Sequence, residues 1–164
     1  MKKALSLLAA LALILSISAC GGSSSIRDDV KVTELSEMVS KAVVGNETMM
    51  SVDDNYLKNL MQLNKGISAE HIVMVNTSGT KIGEYGIFKG GNQAETKELA
   101  KEVDTYLKMV NDNFMEEYNV EERPKVRDAE YKTVGNYVMY AILSESEKTE
   151  VFKIFEKELS AAKK

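Results

Sequence analysis

Few residues of this chain are equipped for chemistry, and their spacing narrows the choice further. There is one Cys, one His and 25 Asp and Glu among 164 residues. A single Cys excludes an internal disulfide and a cysteine-based metal cluster, and a single His excludes a multi-histidine metal site. Nucleophilic catalysis needs Ser or Cys beside a general base. The only imidazole is His71, which opens an apolar run just after Ser68-Ala69-Glu70. A lone His there reads as a surface or hydrogen-bonded structural residue, and no G-x-S-x-G elbow is present. Nothing in the spacing of the carboxylates selects an acid–base pair. Glu116-Glu117 and Glu121-Glu122 read as solvated helix-end charge. Asp53-Asp54-Asn55 starts like a calcium loop, but its sixth and twelfth positions hold Lys58 and Asn64 where Gly and Glu are needed. Helix N-capping is the better reading. Gly79, Gly83, Gly86, Gly90 and Gly91 lack the Gly-Lys-Ser/Thr of a phosphate loop and suit turns and bulges. Most Met residues fall on apolar faces, where they pack; Met49-Met50 stands apart. No cofactor and no metal are expected.

Cys20 is the exception. Lys2 and Lys3 precede an apolar run from Ala4 to Leu15, and small residues follow, which is the layout of a secretory signal peptide over residues 1–19. The run is short for a permanent span, which needs about 20 apolar residues. Ile17-Ser18-Ala19-Cys20 resembles the lipobox of bacterial lipoproteins. Small side chains at Ser18 and Ala19 let an extended chain thread a peptidase cleft, and the Cys20 thiol can take a diacylglyceryl group as a thioether. Multiple acyl chains would anchor firmly, since each buried CH₂ contributes about 0.8 kcal/mol.

The formal net charge is −4, and the two lysines of the signal segment fall outside the mature chain, which is therefore more acidic. That balance argues against non-specific nucleic-acid binding. Gly21-Gly22-Ser23-Ser24-Ser25 reads as a flexible linker. Residues 20–31 are thus expected to be a lipidated Cys and its tether, and residues 32–164 a single domain.

Periodicity sets out the elements of that domain. Leu35, Met38, Val39, Ala42 and Val43 mark a helix over Thr33–Val44. Tyr56, Leu57, Leu60 and Met61 mark a second over Asp53–Leu63. His71–Thr77 and Lys81–Lys89 form a hairpin about Ser78-Gly79. Asn92 with Glu95 is a capping-box pattern that opens a long helix to Tyr118. After a loop over Asn119–Pro124 come strands over Lys125–Val134 and Tyr137–Leu143. Ser144 with Glu147 then opens a last helix to Leu159. Tyr137–Leu143 is apolar on both faces and predicts a central strand. The order α-α-β-β-α-β-β-α predicts an α+β domain, an antiparallel sheet of about four strands with helices packed on one side. Gly83/Gly135, Tyr85/Tyr137, Glu95/Glu147 and Leu107/Leu159 coincide at an offset of 52, a weak internal echo.

A lipobox, a Gly/Ser tether, the strand Glu84–Lys89, a long charged helix and the run Gly135–Ser144 together resemble an uncharacterised lipoprotein family of Gram-positive anaerobes that carries a domain of unknown function. The resemblance implies an extracytoplasmic domain on the outer face of a cell membrane and carries no catalytic residues. The expected function is a membrane-anchored binding or protein-interaction module, with a cleft lined by apolar and Tyr side chains. The alternative is a cell-envelope hydrolase using acidic residues, which requires two carboxylates converging in a pocket.

Overall fold

A computed structural model describes residues 26–63, 68–115 and 119–160. The signal segment, Ile17, Ser18, Ala19, Cys20 and the Gly/Ser run lie outside those residues. Helix α1 spans Val32–Ser40. A 3₁₀ turn at Asn46–Thr48 leads into a short strand, β1 (Met49–Ser51). Helix α2 (Asp54–Asn59) follows, then the hairpin strands β2 (Ser68–Asn76) and β3 (Glu84–Gly90). Helix α3 (Gln93–Asp112) is the longest element among the described residues. Helix α4 (Arg123–Arg127), the hairpin β4 (Glu130–Val134) and β5 (Tyr137–Ile142), and α5 (Glu145–Ser160) complete the domain. No described helix is long and apolar enough to cross a membrane.

The α+β class and the antiparallel sheet are as the sequence predicts. The strands lie in the order β1-β2-β3-β5-β4, and every neighbouring pair is antiparallel. The sheet has five strands rather than about four, because Met49–Ser51 pairs along Met74–Asn76 as an edge strand. The loop and strand expected between Asn119 and Val134 begin instead with a 3₁₀ turn and α4, where Pro124 supplies a helix-compatible start.

The helices do not share one side of the sheet. On one face, Tyr85, Ile87, Tyr137 and Met139 pack with Leu35 and Val39 of α1 and with Val151, Phe152 and Phe155 of α5. On the other, Phe88, Val138, Tyr140 and Ile142 pack with Leu57 of α2, with Leu99, Val103 and Tyr106 of α3, and with Val126 of α4. Alternation along β3 and β5 sends successive residues to opposite faces, and both sets are apolar. A strand of that kind must be covered twice. β5 lies between β3 and β4, and all six of its residues are buried.

The echo at offset 52 maps one hairpin-and-helix unit onto the other in sequence only. α3 covers one face and α5 the opposite one. The two-fold rotation that exchanges the antiparallel neighbours β3 and β5 keeps each face in place, so it does not exchange the helices.

The capping patterns close as read. Asn92 accepts from the backbone N–H groups of Ala94 and Glu95, while Glu95 accepts from Gly91 N–H at 2.8 Å. Glu147 accepts from the N–H of Ser144 and also from that of Val44, which ties the end of α5 to the turn after α1.

The chain joins the domain at one end of the sheet. Arg27 N–H donates to Leu159 O at 2.8 Å, Tyr137 Oη donates to Val30 O at 2.8 Å, and Lys89 Nζ donates to Asp28 O. Ile26 rests on Gly135, whose φ of +59° and missing side chain make the β4–β5 turn possible. Among the described residues, those from Ile26 to Val30 thus contact the domain, inside the stretch that composition assigns to the tether.

Candidate functional site

One of the buried polar side chains among the described residues is Glu84. It opens β3, where the pleat points it, with Gly86 and Phe88, towards α2 and α3. Its residue is only 8% exposed, and both carboxylate oxygens are engaged. Tyr140 Oη donates to Oε1 at 2.5 Å and Tyr106 Oη to the same oxygen at 2.7 Å. Tyr56 Oη donates to Oε2 at 3.1 Å. One carboxyl group thus joins β3 to β5, α3 and α2.

Each phenol is delivered by a different local rule. Tyr106 lies on the apolar stripe of α3 with Leu99, Val103 and Leu107. Tyr56 lies in the first turn of α2, which Asp53 caps by accepting from the N–H groups of Asn55 and Tyr56. Tyr140 lies directly across the sheet from Gly86. A Cβ on Gly86 would collide with the Tyr140 ring, so only glycine lets that ring lie over the strand. The rings support one another: Tyr106 meets Tyr140 edge-on at 5.8 Å between centroids.

Burial pushes the Glu84 carboxyl above its usual range, while the three phenol O–H groups act in the opposite direction. Burial and the nearby carboxylate raise the Tyr56 phenol to about 12, and they raise those of Tyr106 and Tyr140 as well. All three stay protonated donors at neutral pH. Among the described residues no Lys or Arg pairs with Glu84; its hydrogen-bond partners are phenols, not a second carboxylate.

Two of the three tyrosines also face a groove. Tyr56 and Tyr106 line it together with Leu60, Met109, Val110 and Phe114, and its volume is about 490 Å³. It lies between α2 and the C-terminal half of α3. Its lining is mostly apolar, and Leu60 and Met115 stand exposed at its margin. Arg123 lies 5.5 Å from the centre of the Phe114 ring and donates to Asn111 Oδ1 at 2.7 Å.

The other residues weighed from sequence fall elsewhere. His71 Nε2 lies 3.4 Å from Asp54 Oδ1, and its ring stacks with Phe88. Asp53 is a helix cap, as read. Met49 is buried and Met50 exposed on β1. Glu122 departs from its reading as solvated charge: it is largely covered, accepts from Ile82 N–H at 2.8 Å and pairs with Lys125 at 2.7 Å. Among the described residues no group of three His, Cys, Asp or Glu side chains is placed to hold a metal ion. Sequence reasoning places Tyr56 on its helix stripe and Tyr106 among the core residues but overlooks Glu84. The signal for it is alternation. Counting by two from Phe88 through Gly86 puts Glu84 on a face that must be buried.

The family described as a domain of unknown function, DUF4358, matches residues 42–143. The matched span holds all five strands, α2, α3 and α4, and with them Glu84, its three tyrosines and the groove. No curated protein and no solved structure matches the chain.

Proposed function

Because the chain belongs to the DUF4358 family, whose domain has no assigned function, we propose that it is a binding module, held by a lipid on Cys20 at the extracytoplasmic face of a membrane, with its ligand site in the groove of Tyr56 and Tyr106. The observation that carries this reading is the double use of those two tyrosines. Each lines an apolar groove, and each is fixed by the same buried carboxylate. A polar group buried in a core is costly unless fully bonded. Here three phenols satisfy Glu84, and the result is a rigid aromatic wall where a ligand would rest.

The anchor rests on sequence. Cys20 is the only cysteine and follows Ile17-Ser18-Ala19. The wider placement, on the cell membrane of a Gram-positive anaerobe, rests on the resemblance of the chain to that lipoprotein family.

A photo-crosslinking residue at Leu60, at the margin of the groove, tests the binding reading in native membranes. It should give discrete adducts that are absent when the same residue replaces Lys153, on the opposite face of the domain. Identical adduct patterns from the two positions, or none above a lipid-anchored control, would overturn it.

A further inference from the structure

We infer that the Glu84 cluster is a proton-operated switch: a proton taken up at Oε2 reverses the hydrogen bond with Tyr56, which passes from donor to acceptor, while Tyr106 and Tyr140 keep their roles. Such a switch works whether or not the groove takes a ligand. The hydrogen count of the cluster requires a reversal somewhere. The ionised carboxylate accepts three O–H groups, two on Oε1 and one on Oε2. A neutral carboxyl brings a fourth hydrogen to the same four groups, and its own O–H is then a donor that needs an acceptor.

The geometry selects the oxygen. In a neutral carboxyl the carbonyl oxygen is the strong acceptor, with two lone pairs. Oε1 holds the two short bonds, at 2.5 Å from Tyr140 and 2.7 Å from Tyr106, so Oε1 remains the carbonyl. Oε2 holds one longer bond, at 3.1 Å, and takes the proton. Its O–H then donates to Tyr56 Oη, and the Tyr56 hydrogen turns to another acceptor. Tyr106 Oη is within its reach, and so is the groove that both rings line. Tyr56 is also the only one of the three phenols that is not buried, so the reversal falls where water can enter. Burial lifts the Glu84 carboxyl above the usual carboxylate range, and uptake therefore occurs at milder acidity than at an exposed Glu. The titratable groups that act on it are the three phenols, one each from α2, α3 and β5. Beyond them, Glu122 pairs with Lys125 beside Ile82, and His71 of β2 pairs with Asp54 of α2.

The test is infrared spectroscopy of the full chain in maltoside detergent, with tyrosine carrying an isotope label at the ring carbon that bears the hydroxyl. The phenol C–O stretch lies lower for a donor than for an acceptor, and Tyr→Phe variants at 56, 106 and 140 assign the three bands. The C=O stretch of a neutral carboxyl, absent from Glu84→Gln, reports the proton. As pH falls from about 8 to about 5, that C=O band should grow. The Tyr56 band should rise in frequency in step with it, while the Tyr106 and Tyr140 bands stay in the donor range. A Tyr56 band that keeps its donor frequency as the proton arrives would overturn the switch, and so would a rise at Tyr106 or Tyr140 in its place. If Glu84 holds its proton over the whole range, the Tyr56 band should stand at the acceptor frequency throughout, and a donor frequency there overturns the proposal. No C=O band at any pH in the range overturns it as well. Glu84→Gln sets an amide N–H where the acid O–H would be and should hold Tyr56 as an acceptor at every pH. If that variant does not fold, the tyrosine bands of the native chain still decide.

Discussion

Glu84 sets the terms at the scale of single residues. Its folded-state pKa lies above that of the unfolded chain, because burial disfavours the charged form. Over the interval between the two values the native state holds more protons than the unfolded state. The stability Glu84 contributes is therefore complete below its unfolded pKa of about 4.3 and is lost as pH rises through its folded pKa. Urea unfolding across that interval should show the native chain losing stability with rising pH relative to Glu84→Gln. A parallel pair of curves would mean that the three phenol hydrogen bonds offset the effect of burial in full. The donors carry a second expectation. Tyr140→Phe leaves Oε1 with one phenol instead of two and should cost about 1–3 kcal/mol at neutral pH. Gly86→Ala should cost a similar amount, about 1–3 kcal/mol, by forcing the Tyr140 ring off the strand. Making the second change in a Tyr140→Phe background should add little of the polar cost, since the bond that it disturbs is already gone. Both are read as shifts in the urea midpoint at constant slope.

Between residues and the whole stands the element, and here the sequence was legible in uneven measure. Helix stripes, capping boxes and hairpins are local signals, and α1, α3, β3, β5 and α5 lie close to where those signals put them, although α1 ends at Ser40 short of Val44 and α3 at Asp112 short of Tyr118. What failed was long-range. A stripe such as Leu99, Val103 and Tyr106 says that a helix buries one side, but not which face of the sheet receives it. The information was present in Tyr137–Ile142, whose residues are apolar in both alternating sets and so demand cover twice. β1 escaped for a different reason. Three residues carry no readable alternation, and Met49–Ser51 is a strand only because Met74–Asn76 is there to pair with it. The candidate site shares this divide: two of its tyrosines sit on helix stripes, whereas Glu84 acquires meaning only when three distant phenols converge on it. Depth in the sheet should follow the same order. Amide hydrogen exchange should be slowest in β5, bonded on both sides and buried throughout, and fastest in β1, a three-residue edge strand. The cap of the last helix is testable as well. Ser144→Ala should lower stability by about 1 kcal/mol through loss of its part in the capping box with Glu147.

For the whole molecule, the arrangement of its two ends bears most directly on the proposed function. Ile26 rests on the turn Gly135-Asn136, and Asn136 O accepts from Gly90 N–H and from Thr96 in the first turn of α3. The chain therefore joins the domain beside the start of α3. The groove lies at the other end of the same helix, at Met109, Val110 and Phe114. Twenty helical residues separate those ends by about 30 Å. Only residues 21–25 stand between Cys20 and Ile26, and the six residue steps from one to the other reach at most about 22 Å even when fully extended. A lipid on Cys20 would thus hold the Asn136 end close to the headgroups and present the groove away from them, so that its ligand arrives from the far side and not from the bilayer. Because Cys20 is the only cysteine and would be acylated, a fluorophore can be placed on a new thiol without competition. A dye at Asn136 should be quenched by nitroxide-labelled headgroups, and a dye at Asn113 should not. Equal quenching at both positions would mean that the domain lies flat, with the groove against the membrane. Cys20→Ala should release the protein from membranes altogether, and its retention there after full processing would remove the anchor from which this orientation follows.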